Sequence, residues 1–102
     1  MNIIDIKLLK EAVDDLNDGS IFYDQIHQGA GEYFWDSLIA DIESLVVYAG
    51  VHKQYSNFYR MLARRFPYAV YYEIDNNIVR VVAVLPIRRN PLWIKKQLGK
   101  RN

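Results

Sequence analysis

In the first half of the chain, apolar residues recur at intervals of three and four. Leu9, Ala12, Val13, Leu16, Gly19, Tyr23 and Ile26 form one such series. At 3.6 residues per turn they share one face, which predicts a helix from Lys7 to His27. Asn17-Asp18-Gly19-Ser20 has the composition of a break, yet the phase runs through it. Gly19 falls on the apolar stripe, where a missing side chain lets a neighbouring helix come close. Gln28-Gly29-Ala30-Gly31 reads as a turn. A second stripe follows at Phe34, Trp35, Leu38, Ile39, Ile42, Leu45, Val46 and Ala49, a second amphipathic helix. Gly50 is placed to close it in a left-handed cap. Two helices with so short a joint predict an antiparallel hairpin.

Elsewhere the period is two. Met1 to Ile6 is β-branched and predicts a first strand. Phe58 to Arg65, Tyr68 to Ile74 and Ile78 to Leu85 predict three more. The pattern leaves open which face of Phe58–Arg65 turns inward. Phe66-Pro67 marks an irregularity, since proline cannot donate to a ladder. Asn76 and Asn77 tolerate positive φ and predict a hairpin turn after Asp75. The register that pairs Glu73 with Arg80 also sets Ile74 against Val79 and Tyr72 against Val81, so opposite charges meet and one face stays apolar. Asn90 suits a helix N-cap, Pro91 the first helical position and Gly99 the position after the end, which predicts a short helix over Leu92–Leu98. The expected fold class is α+β: an N-terminal strand, a helical hairpin packed on a mostly antiparallel sheet of about four strands, and a short C-terminal helix.

Composition agrees with a packed chain. The 102 residues are 51% hydrophobic and 14% aromatic, which excludes disorder and predicts one domain over residues 1–102. Net charge is +1, so the chain as a whole is not an electrostatic glue for nucleic acid. The charge is uneven, however. Residues 5–43 hold ten of the twelve acids, and from Arg60 onward Glu73 and Asp75 are the only carboxylates among many arginines and lysines. That asymmetry suggests that the C-terminal half meets an anionic partner. There are no cysteines, which fits a cytoplasmic location. The N-terminal segment lacks an uninterrupted apolar run, and no stretch approaches a membrane span, so no signal peptide and no membrane partner are expected.

Candidate chemistry is sparse. Gly29-Ala30-Gly31 follows a helix and lacks a third glycine, so it is a turn rather than a dinucleotide loop. His27 and His52 have no ligand-spaced partners, so no metal and no cofactor are expected. No serine sits in a nucleophile elbow, and no acid–base constellation stands out. The arginines carry more weight. Arg60, Arg64, Arg65, Arg80, Arg88 and Arg89 lie on or next to predicted strands, and a guanidinium fork suits phosphate and carboxylate. The register puts Tyr71, Val82 and Val84 on the face of Arg80. The helical hairpin can cover only one side of the sheet, so these groups and Trp93 are expected to form an arginine-rimmed patch that binds a partner, unless the last helix or a second subunit covers it.

Three segments carry a family resemblance. Phe22-Tyr23 followed by Gly29-Ala30-Gly31-Glu32-Tyr33-Phe34 is similar to the "WYxxxxxGLGxxF" joint of ParE-like toxins. Arg64-Arg65-Phe66-Pro67-Tyr68-Ala69-Val70-Tyr71-Tyr72 is similar to "RRFPYxIYY". Val82-Ala83-Val84-Leu85 followed by Arg88-Arg89-Asn90-Pro91-Leu92-Trp93 is similar to "AVLHxRRDPxxW". In this order they span nearly the whole chain. The sequence thus resembles the RelE/ParE superfamily, most closely its ParE-type plasmid stabilisation members. The resemblance implies a cytoplasmic toxin of a type II toxin–antitoxin system, linked to stress response and neutralised by a cognate antitoxin in a homodimer or a toxin–antitoxin hetero-oligomer. RelE-like members cut messenger RNA on the ribosome, whereas ParE-like members inhibit DNA gyrase. The basic residue that the nucleases carry after the strand tyrosine matches Ala69 here, and the common histidine after "AVL" matches Pro86. Cleavage needs a proton carrier near the reacting oxygens. Tyr68 or Tyr71 can serve only with a lowered pKa. The resemblance therefore points to a gyrase-type inhibitor rather than an enzyme, with an endoribonuclease or an inactive antitoxin-binding module as alternatives.

Overall fold

The computed structural model describes residues 2–101. Strand β1 (Asp5–Leu8) leads into helix α1 (Lys10–Ile26), α2 (Ala30–Glu43) and the short α3 (Leu45–Tyr48). The chain then forms β2 (Gln54–Tyr55), β3 (Phe58–Leu62), β4 (Tyr68–Asp75) and β5 (Ile78–Pro86), and ends in α4 (Pro91–Gly99). The strands make one sheet in the order β1-β5-β4-β3-β2. β1 runs parallel to β5 and the other pairs are antiparallel. The α+β expectation holds, with five strands rather than about four. The extra one is β2, two residues that turn back onto β3 through Ser56 and Asn57, both at positive φ. No helix among the described residues is long and apolar enough to cross a membrane.

Boundaries moved where tertiary pairing outweighed local pattern. Lys7 and Leu8 face Arg80 and Val81 across the β1–β5 ladder, so α1 starts at Lys10 rather than Lys7, and the first strand lies later than Met1–Ile6. Met1 lies outside the described residues. α1 does run through Asn17–Ser20. α2 breaks at Ser44, whose hydroxyl donates to the Asp41 carbonyl at 2.6 Å. β3 ends at Leu62, which leaves Arg64 and Arg65 in the turn to β4. Gly99 has no positive φ. It lies inside α4, whose last turn tightens as Lys100 and Arg101 donate to Gln97 and Leu98.

The helical hairpin forms as its glycines require. A methyl group on Gly19 would collide with the buried ring of Phe34. One on Gly31 would collide with the Ser20 carbonyl. Gly29, at φ 91°, cannot cap α2 with a side chain. Asp24 on α1 does so instead, accepting from the Gly29 and Gly31 amides at 2.9 and 3.3 Å. On this side of the sheet, Ala12, Leu16, Phe34, Leu38, Ile42 and Leu45 pack against Met61, Tyr68, Val70, Tyr72, Val79, Val81 and Val84.

The β4–β5 hairpin has the expected register, with Asn76 and Asn77 at φ 52° and 63°. Beyond it lies a bulge that alternation alone does not reveal. Tyr72 faces Val81 but Tyr71 faces Ala83, so Val82 is an extra residue on β5. The parity of the strand flips there. Val79, Val81 and Val84 face the helical hairpin, whereas Val82, Ala83 and Leu85 face the other side. Val84 therefore does not share a face with Tyr71 and Val82. The expected bare patch is also closed. Ile94 and Leu98, one turn apart on α4, pack over Tyr71, Val82, Ala83 and Leu85. Tyr71 and Val82 are 0% exposed and Val84 1%.

Candidate functional site

Where β1 stops at Leu8, the outer edge of β5 has no further strand partner, and its backbone groups need other ones. Asp15 on α1 supplies an acceptor: its Oδ2 takes the Val84 amide at 2.9 Å. Arg101, just past α4, supplies a donor to the Val82 carbonyl at 3.3 Å. The two side chains also bind each other in a fork. Arg101 Nη1 meets Asp15 Oδ2, and Nη2 donates to Oδ1 at 3.1 Å. Arg101 is only 8% exposed. Burial raises the Asp15 pKa above the ordinary carboxyl value, against the opposing pull of Arg101 and the Val84 amide. The pair is thus a costly but saturated plug that fastens the C-terminal segment to α1 and β5.

Above this plug lies a cleft of about 560 Å³ between α1, the ends of β4 and β5, and α4. Phe22, Tyr23, Pro67, Tyr68 and Pro86 give it apolar walls, and Arg88, Arg89 and Trp93 line it from the β5–α4 connection. The Arg89 guanidinium lies 3.7 Å from the centre of the Trp93 ring, a stacked cation–π arrangement that holds both flat. Below, Tyr23, Phe34, Phe66 and Tyr68 meet in edge and stacked contacts with centroids 4.8–6.2 Å apart. The Asn90 side chain caps α4 by accepting from the Leu92 amide at 2.8 Å. That cap fixes where the connection ends and so where Arg89 faces Trp93.

The six arginines singled out in the sequence do not converge. Arg88 and Arg89 line the cleft. Arg64 and Arg65 are exposed on the β3–β4 turn, which the Arg64 amide ties to Asp41 Oδ2 at 3.1 Å. Arg60 sits on the α4 side of β3, its guanidinium 5.1 Å from the centre of the Tyr55 ring. Arg80 is held by Glu73 at 2.6 Å. Among the candidate partner contacts, Trp93 is half-buried at the cleft, while Tyr71, Val82 and Val84 lie beneath the surface. Sequence reasoning missed Asp15 and Arg101. Asp15 does sit beside the apolar stripe, one residue before Leu16, but nothing local tied it to a residue at the far end of the chain.

The tyrosine phenols are badly tuned for proton transfer at neutral pH. Burial, with smaller contributions from Tyr23, Asp15 and Asp18, pushes the Tyr68 phenol up to about 12. Burial also raises Tyr23, against Arg88, and Tyr71, against Arg60. His52 lies elsewhere, with Nδ1 2.6 Å from the Tyr72 hydroxyl. That hydroxyl already accepts from the Gly50 amide at 2.9 Å. Burial lowers the His52 pKa below its ordinary value.

Residues 6–91 match the family described as "ParE toxin of type II toxin-antitoxin system, parDE". No curated protein matches the chain in sequence. Among solved structures, the chain is similar to one from "Chromosomal ParDE TA system from P. aeruginosa", with a TM-score of 0.74 at 10% identity over 82% of this chain and 96% of that one. At that identity the likeness concerns the fold. The family match, which runs from β1 to the start of α4, carries the assignment: this chain belongs to the ParE toxin family of type II toxin–antitoxin systems.

Proposed function

We propose that this chain poisons its host by binding DNA gyrase rather than by cutting RNA, and that a cognate antitoxin neutralises it in the cytoplasm. The observation that supports binding is the cleft rimmed by Arg88, Arg89 and Trp93, which offers apolar walls, a stacked aromatic and two guanidinium groups, with the Tyr68 phenol pushed far from neutral pH. Such a surface suits an apolar or aromatic anchor followed by an acidic group, the pairing that dominates protein interfaces. General acid–base cleavage of RNA works best with a group that titrates near the working pH. Tyr68, pushed up to about 12, is far from that. Ala69 and Pro86 supply no substitute.

The test is to induce the chain alone in bacteria and follow plasmid supercoiling and messenger integrity together, with purified gyrase assayed in parallel. Loss of supercoiling with intact messenger, relieved in Arg88→Ala/Arg89→Ala, is the expected result. Site-specific messenger cleavage on ribosomes would overturn the reading in favour of an endoribonuclease. Neither effect, with antitoxin binding retained, would leave an inactive antitoxin-binding module.

A further inference from the structure

The α4 side of the sheet holds two polar atoms that the fold does not satisfy. Arg60 and Tyr71 are direct cross-strand partners on β3 and β4. Arg60 Nε and the Tyr71 hydroxyl are both buried, and neither has a hydrogen-bond partner among the described residues. Buried polar groups are paired in the great majority of cases, so two adjacent exceptions call for a cause. The two groups cannot repair each other. Both bring a proton: if Nε–H turns onto the phenol oxygen, the phenol proton still lacks an acceptor. What is missing is therefore an acceptor. The nearby carboxylate of Glu73 is already held by Arg80.

The surroundings narrow the acceptor's chemistry. The Tyr55 ring lies 5.1 Å from the Arg60 guanidinium, and a guanidinium is the side chain whose fork fits a carboxylate. At this spot the strands offer the Arg60 guanidinium, since Arg80 is held by Glu73, whereas a nucleic-acid strand needs a track of several cations. Leu62, two residues from Arg60 on the same strand face, is 58% exposed, so an apolar anchor point stands beside the charged one. Arg60 is itself partly exposed and Tyr71 is covered, so a partner reaches the pair from the Arg60 side.

We propose that Arg60 and Tyr71 form a recognition site for a single carboxylate, an Asp or Glu side chain flanked by an apolar residue on a protein partner that docks beside α4. The inference rests on the reading above to the extent that the partner is a protein. Arg60 lies close enough to oppose the rise that burial imposes on the Tyr71 pKa, through its charge and an approach to the phenol, but that approach does not meet hydrogen-bond geometry.

An NMR titration of the full chain tests this without antitoxin or gyrase, so its failure is separate from failure of the supercoiling assay. The probe is sodium acetate, read on the Arg60 Nε–Hε resonance, with Arg64 as the exposed control and dimethyl phosphate as the second anion. Acetate should shift the Arg60 resonance to saturation while Arg64 drifts linearly. Tyr71→Phe should weaken acetate binding roughly fivefold, the worth of about one hydrogen bond. Parallel linear drift of both arginines would overturn the proposal. So would tighter binding of dimethyl phosphate, which would make this a phosphodiester site, and so would a resident water on both donors that acetate does not displace.

Discussion

Tyr71 and Tyr72 are neighbours on one strand, both are 0% exposed, and they show how differently the two faces of the sheet are closed. Tyr72 points to the helical hairpin, where its ring stacks on Tyr59 with centroids 5.1 Å apart. Its hydroxyl serves both the Gly50 amide and His52. Tyr71 points to α4, and its hydroxyl meets no partner. The hairpin face is closed by two long helices with interlocking aliphatic and aromatic groups. The α4 face is closed by a nine-residue helix resting on Ile94 and Leu98 and fastened by the buried Asp15–Arg101 pair. Hydrophobic stabilisation scales with apolar area removed from water, so the first face carries the stability of the fold. The second combines a short cover, a buried charge pair and unsatisfied donors. Segments with few buried apolar contacts open at lower free energy, and the features suited to a partner gather on that side.

The largest test of this contrast is Asp15→Ala. It strands a buried guanidinium and the Val84 amide together, so it should cost about 3–5 kcal/mol in urea unfolding. Replacing both partners by apolar residues, Asp15→Leu with Arg101→Met, should recover part of that loss, because the stranded guanidinium is gone while the Val84 amide and the Val82 carbonyl stay unpaired. If the double variant were as unstable as Asp15→Ala, the pair would be a net stabiliser and the contrast between the faces would weaken.

Gly19→Leu probes the hairpin face. The new side chain meets the fully buried ring of Phe34, and overpacking of this kind costs about 1–3 kcal/mol. Unchanged thermal melting would show that α1 and α2 can separate freely.

The smallest expected effect is a pH response at His52. Burial depresses its folded pKa below the ordinary 6.5, so below that value the unfolded chain binds the proton more readily than the folded one. The contribution is therefore complete above pH 6.5 and declines as the pH falls toward the depressed value. Between those limits the wild-type chain should lose more melting temperature than His52→Gln. Equal losses in both would mean that the Tyr72–His52 contact adds nothing to the hairpin face.

Much of the architecture was legible in the residues. The stripe through Gly19 held across a stretch whose composition suggests a break, because burial against Phe34 outweighs local preference. The Asn76-Asn77 turn set the Glu73–Arg80 register, because a two-residue loop leaves little freedom in how its strands pair. Asn90 and Pro91 marked the start of α4 through local hydrogen bonding and a fixed φ. The family motifs lay on the helix joint, the β3–β4 turn and the β5–α4 connection, and residues from all three line the cleft. Of the cleft itself, Arg88, Arg89 and Trp93 were legible, because they are close in sequence and share one motif.

What the sequence could not decide depends on residues far apart along the chain. The bulge at Val82 flips the parity of β5, and alternation counted outward from the turn put Val84 on the wrong face. Whether the second face stayed bare depended on where nine C-terminal residues folded back, which a capping signal does not tell. The Asp15–Arg101 pair closes a separation of 86 positions, and it forms because β1 ends early and leaves the edge of β5 in need of a donor and an acceptor. Local rules determined the elements. The ladder's unmet hydrogen bonds, which exist only once the strands are assembled, decided how the second face was closed and where the cleft formed.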